Sequence, residues 1–321
     1  MLQRYPTIAV GMDFSPLAEV GLDAAAAQAD RLGSSRLHLV HVYEHRTVLP
    51  LAAFGITAGP PPEVWEEARR GVHQRLEAIP VSGFSGRITR ETRLGAPAEE
   101  LIAAATEAQA SLLLVASHDR VPAQRVVLGS VASTLLRASH CPVMVVGRDR
   151  PGTEPIGLVL AAVDLSLITE AVLKHAISIA RAHGAKLKVL SSLDVPKVAP
   201  GFDDLLPRYL SRTELAEYPS KYRGAIDALL EKLCPSSVEV EVEVMSDDAP
   251  PHAILAASER YRPDLIVLGT SGHNAWQRFF LGSTATRVVA DAHCPVFVVP
   301  HELAKVKDST PSVIPTPVLA P

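Results

Sequence analysis

Short continuous apolar runs alternate along this chain with longer stretches of helical period. TIAVG, from Thr7, reads as a buried strand, LAEVGLDAAAAQADRLG as a helix stopped by Gly33, and SRLHLVHVY as a second strand. A Pro/Gly-rich stretch, LPLAAFGITAGPPP, precedes a helix expected from Glu63 to Ala78 and a strand around GRITRETRL. Pro97 opens a helix expected to reach Ala110, LLLVAS is a buried strand, VASTLLRAS is helical, and CPVMVVG is a last strand. The same order then returns as GLVLAAVD, TEAVLKHAISIARAHG, KLKVLSSL, a helix through RGAIDALLEKL, VEVEVEVM, PHAILAASERY, LIVLG, STATRVVADA and CPVFVVP.

The return is a duplication with a nearly constant offset. Cys141 and Cys294 are 153 positions apart, as are Gly129 and Gly282, while Asp13 and Asp164 are 151 apart. The linker is expected at RDRPGTEP, so the chain divides into one domain over 1–150, a second over 155–300 and a tail over 301–321. The tail carries four prolines and neither a helical nor a strand period, which reads as flexible. Val/Ile/Leu runs without polar alternation, joined by helices, imply parallel strands covered on both faces. The fold class that follows is α/β, with two tandem doubly wound domains, each a five-stranded parallel sheet flanked by helices.

Composition narrows the function classes. The 321 residues, 47% hydrophobic and 21% charged, suffice for two cores. A formal net charge of -4 gives no basic excess for a nucleic-acid backbone, so metabolites or proteins are the expected partners. Three scattered cysteines, Cys141, Cys234 and Cys294, make neither a disulfide framework nor a metal site and suit a reducing cytoplasm. Neither a signal peptide nor an apolar run of roughly 18 residues is seen, so a cytoplasmic protein without membrane insertion is expected.

In open parallel sheets ligands bind beyond the carboxyl ends of the strands. In the second copy Asp164 ends the first strand, Gly269 and Gly272 end the fourth, and Gly282 with Ser283 begins the last helix, giving G-x2-G-x9-G-S. Such glycines let backbone approach a phosphate closely and adopt positive φ, and a helix N-terminus suits an anion. A carboxylate at Asp164 suits a ribose hydroxyl.

The chain resembles the universal stress protein family in these residues, in both CPV-type last strands and from residue 5 to 300. The resemblance implies a Rossmann-like, adenine nucleotide α-hydrolase-like fold and a cytoplasmic, ATP-binding stress-response regulator, with Mg2+ and little or no hydrolysis. It implies nucleotide contacts at Asp164, Gly269, Gly272, Gly282 and Ser283, with Ser192 for adenine. It also implies that the last strands, 143–147 and 296–300, pair antiparallel within the chain, that two tandem chains form a homodimer, and that a protein partner exists, its identity unknown.

The first copy keeps Asp13, Val42, Gly129 and Ser130 as a weaker site, but has Ala116 and Asp119 at the first two glycine positions. A carboxylate at 119 facing phosphates repels them. Blander readings stand beside these. Asp13 and Asp164 can simply cap helices, although Ser15 with Pro16 is the better cap and N1 pair, and Gly282-Ser283 alone can be an ordinary turn. His140 and His293 read as fold residues, Cys141 and Cys294 as core-like ones, and His118 and His273 as non-equivalent bystanders. Trp276, Phe279 and Phe280 are expected to pack the glycine loop, with Arg278 a candidate for phosphate. No P-loop, G-x-G-x-x-G, nucleophile elbow or S-G-G-x-D-S loop is present, so efficient ATP turnover is not expected. The rival reading is a scaffold or small-ligand binder without nucleotide, using the variable segments 45–80 and 195–233.

Overall fold

The computed structural model describes residues 3–43, 62–117, 128–147, 152–193, 212–246, 249–270 and 281–305. In the first copy β1 (Thr7–Met12), α1 (Pro16–Arg31), β2 (Arg36–Tyr43), α2 (Pro62–Glu77), β3 (Arg87–Leu94), α3 (Pro97–Glu107), β4 (Leu112–Ala116), α4 (Ser130–Ala138) and β5 (Val143–Val146) follow one another. The second copy repeats them as β6 (Leu158–Ala162), α5 (Thr169–His183), β7 (Lys186–Leu193), α6 (Arg212–Leu233), β8 (Val240–Ser246), α7 (Pro250–Tyr261), β9 (Leu265–Gly269), α8 (Ser283–Asp291) and β10 (Val296–Val299).

The strand order is β3-β2-β1-β4-β5-β10-β9-β6-β7-β8. Within each copy the pairs are parallel, and the order reverses between the first and fourth strands, leaving a crevice at their carboxyl ends. The copies join through β5 and β10, which pair antiparallel with Met144 opposite Phe297. That junction makes one ten-stranded sheet and closes two edges that would otherwise expose unpaired backbone.

Side chains of the central strands feed two apolar layers. Ile8, Val10, Leu112, Val159 and Phe297 pack under α1, α2, α5 and α6. Ala9, Leu113, Leu160, Ile266 and Val298 pack under α3, α4, α7 and α8. Burial on both faces explains the absence of polar alternation in these runs, and each large aliphatic side chain removed from water contributes about 1.5–3 kcal/mol.

Local chemistry sets the element ends. Ser15 caps α1 by accepting the Ala18 N–H at 3.1 Å, and Pro16 stands at N1. Gly33 (φ 67°) and Gly184 (φ 63°) supply left-handed turns at the ends of equivalent helices. Two helices differ from the sequence expectation: α3 stops at Glu107 rather than Ala110, and α6 begins at Arg212, accommodating Pro219 inside it. The start of the expected tail is also ordered, because 301–305 form a 3-10 turn whose Leu303 packs on the core. Residues 306–321 lie outside the described residues.

The two copies are also joined beyond the strands. Tyr5, just before β1, is 2% exposed and hydrogen bonds through its hydroxyl to Nδ1 of His175 on α5 at 2.7 Å. Its ring meets Phe297 edge-on at 6.1 Å. Burial holds His175 far below the usual imidazole range, at about 3, so it is neutral at pH 7. Nearby, Gln3 N–H donates to Ser178 Oγ, and the buried Gln28 amide donates to the Gly152 carbonyl in the linker.

Candidate functional site

The carboxyl ends of β6, β7 and β9 and the amino end of α8 carry the second copy's candidate residues. Ala161 of β6 pairs with Val267 of β9, so Asp164 and Gly269 follow neighbouring strand ends. Gly282 N–H donates to the Thr270 carbonyl at 2.7 Å, which holds the start of α8 to the end of β9. Ser192, near the end of β7, lies opposite Met245 of β8. Gly272, and with it His273, Trp276, Arg278, Phe279 and Phe280, lies outside the described residues.

The amino end of α8 has the character an anion requires. Gly282 is its N-cap and brings no capping side chain, and no acidic residue stands in its first turn. Its first amides point along the axis with the positive end of the helix dipole behind them. The first copy repeats this at α4, where Gly129 is the N-cap, Ser130 is the first helical residue, and a Cβ added at Gly129 would meet nothing within 4 Å.

The expected positive φ is not found at these glycines. Gly129 has φ -55° and Gly282 φ -60°, and Gly269 continues β9. The left-handed residues instead follow the aspartates: Phe14 (φ 58°) and Leu165 (φ 55°) occupy equivalent positions. A non-glycine residue held there costs of order 1–3 kcal/mol and marks a turn that its surroundings enforce. Each aspartate is part of that enforcement. Asp13 Oδ1 accepts the Ser15 N–H at 2.9 Å, and Asp164 Oδ1 accepts the Ser166 N–H at 3.1 Å. Neither carboxylate is the helix cap itself.

Beyond this shared turn the copies diverge. Asp13 is exposed and Asp164 half-buried. Ser15 spends its hydroxyl on α1, whereas α5 starts from Ile168 with no side-chain cap. Among the described residues, Ser166 Oγ and Thr169 Oγ1 are buried with no hydrogen-bond partner. Such hydroxyls cost about 1–3 kcal/mol each until something pairs with them.

Two further residues fix the strand ends and were not singled out in the sequence. His41 Nδ1–H donates to the Met12 carbonyl at 2.7 Å, and Ser191 Oγ–H donates to the Val163 carbonyl at the same distance. Both hold the residue before the aspartate from the end of the second strand. Burial lowers the His41 pKa, against the opposing pull of the Met12 bond and of Asp13, and the Arg75 guanidinium lowers it further. Its ring lies 4.2 Å from Phe14, and Arg75 lies over the other ring at 4.3 Å. Their signal was the position of 41 and 191 at the end of a run, one residue before Val42 and Ser192. Val42 is half-buried and packs on the α3/α4 side of the sheet.

The histidines expected to belong to the fold are surface groups: His140 and His293 are exposed, and His140 Nδ1 meets Glu302 at 2.7 Å. Cys294 is buried as expected, and Cys141 is half-buried. His118 and Asp119 lie outside the described residues, while Ala116 ends β4. Among the described residues no helix is long and apolar enough to cross a membrane.

The profile of the universal stress protein family matches residues 4–147 and again 156–300. A universal stress protein of Mycolicibacterium smegmatis is 27% identical over 303 residues, covering 91% of this chain and 96% of that protein. One from Thermus aquaticus is 38% identical over 123 residues, 37% of this chain and 81% of its own length. Among solved structures, a universal stress protein from Archaeoglobus fulgidus superposes with a TM-score of 0.62 at 21% identity, covering 93% of this chain and 99% of that one, a likeness of fold. Two matches in tandem, spanning nearly all of both copies, establish that the chain belongs to the universal stress protein family.

Proposed function

We propose that this chain is a cytoplasmic ATP-binding regulator in which the second copy takes the nucleotide and the first copy serves mainly as its structural partner. The observation that carries the reading is the amino end of α8, with a glycine N-cap and no acidic residue in its first turn, tied to the end of β9, with Asp164 on the neighbouring strand end. Anionic phosphates fit the helix amides, and a ribose hydroxyl fits a carboxylate. In this reading Gly269, Gly272, Gly282 and Ser283 would hold the phosphates, Asp164 and Ser192 would face the nucleoside, and Mg2+ bound with the nucleotide would offset phosphate charge. The buried hydroxyls of Ser166 and Thr169 add hydrogen-bonding capacity beside Asp164. The weaker site of the first copy, at Asp13, Val42, Gly129 and Ser130, stays empty or nearly so. Bound nucleotide acts as a reversible ligand that changes the chain's interactions, with hydrolysis slow or missing.

The experiment is the nucleotide content of freshly purified protein, with calorimetric titration of ATP and Mg2+ into protein stripped of ligand. Binding that is lost in Asp164→Ala, with folding retained, is expected. No nucleotide and no heat would move the assignment to a scaffold or small-ligand binder of the same fold.

A further inference from the structure

Gly269 invites a different explanation from the one its spacing suggests. Its backbone is ordinary strand, so conformation does not demand glycine there. What does demand it is Ile168: a Cβ on Gly269 would stand 2.8 Å from Ile168 Cγ2 and 3.3 Å from its Cδ1. Contact that close forces something to shift. Ile168 has little freedom to do so. It is 2% exposed, is β-branched, and is the N-cap of α5, where its carbonyl accepts the Val172 N–H at 2.9 Å.

Ile168 also ends the turn that carries Asp164. Between them lie Leu165 at φ 55° and Ser166, whose N–H is held by Asp164 Oδ1 and whose carbonyl accepts the Thr169 N–H at 3.0 Å. A displaced Ile168 therefore pulls on the turn whose Ser166 N–H is bonded to Asp164. In the first copy Ala116 stands at the position of Gly269 and Leu17 at that of Ile168.

We infer that Gly269 is a positioning residue: its missing side chain lets Ile168 seat on the end of β9 and so sets where Asp164 stands. The inference rests on the nucleotide reading of the second copy.

The test is a four-member cycle of wild type, Gly269→Ala, Ile168→Ala and the double variant, each titrated with ATP and Mg2+ and melted thermally. Overpacking at Gly269→Ala is expected to weaken ATP binding about tenfold or more, and the double variant is expected to recover to within about threefold of wild type. If Gly269→Ala alone fails to fold, recovery of both folding and binding in the double variant is the supporting result. A double variant as weak as Gly269→Ala, which is what a methyl crowding the phosphates would give, overturns the inference alone. So does a Gly269→Ala protein that binds like wild type. A wild type that binds no ATP overturns the nucleotide reading and takes this inference with it.

Discussion

One Asp-x-Ser turn follows the first strand of each copy, and the two copies put it to different uses. In the first, Ser15 caps α1 and Asp13 lies exposed. In the second, Asp164 is half-buried, Ser166 caps nothing, and two hydroxyls stay buried without partners. The first turn has spent its polar groups on its own helix. The second leaves the hydroxyls of Ser166 and of Thr169 at the start of α5 unpaired, at a cost of about 1–3 kcal/mol each. The lesson is that a duplicated motif keeps its backbone while its hydrogen bonds are reassigned.

The junction between the copies is unequal in the same way. Tyr5, His175 and Phe297 fill one side, and their counterparts by repeat offset are Ile156, Ala24 and Met144. The largest expected effect comes from breaking the aromatic side. Tyr5→Ala is expected to lose about 3–5 kcal/mol in urea unfolding, against about 0.5–1.5 kcal/mol for Ile156→Val opposite. Equal, small losses would mean that the two sides of the junction are energetically alike.

Acid should report the same inequality. His175 is depressed to about 3 when folded and returns to about 6.5 when unfolded, so the unfolded chain binds the extra proton between those values. Stability is therefore full above about pH 6.5 and is lost on acidification, at up to about 1.4 kcal/mol per pH unit for this one group. His183, lowered to about 4 by burial first and by the Arg31 charge second, acts in the same direction over a narrower window. His175→Leu is expected to flatten the dependence of melting temperature on pH between 4 and 6. An unchanged slope would remove His175 from the account.

Smaller effects sharpen the comparison of the turns. Ser15→Ala is expected to cost about 1 kcal/mol by leaving α1 uncapped, while Ser166→Ala should cost close to nothing. Thr169→Val, which removes a buried unpaired hydroxyl without changing shape, is expected to be neutral or to raise stability by up to about 1 kcal/mol in unliganded protein. Both second-copy substitutions should be scored by chemical denaturation with and without ATP. A penalty that appears only with ATP would assign those hydroxyls to the ligand.

The sheet was largely legible in the sequence because continuous apolar strands, helical periods and a constant repeat offset each report backbone placement. The antiparallel joint followed from the resemblance once the last strands were seen to be equivalent. What stayed hidden were contacts between residues of unremarkable type. Apolar spacing shows that Tyr5 and His175 are near a core, but not that they touch across 170 positions. That a Cβ at Gly269 would press on Ile168 is visible only when helix and strand are seen against each other. The glycine spacing singles out Gly269 at the end of β9, but does not show that a Cβ there would stand 2.8 Å from Ile168 Cγ2. His140 and His293 were misread because adjacency in sequence to a buried strand says nothing about which way a corner faces.

The measurement that bears most directly on the division of labour is the ATP stoichiometry of the whole chain, by equilibrium dialysis of wild type, Asp164→Ala and Asp13→Ala. One nucleotide per chain is predicted, with affinity reduced about tenfold or more in Asp164→Ala and unchanged in Asp13→Ala. Two nucleotides per chain, or a site lost through Asp13 rather than Asp164, would contradict it.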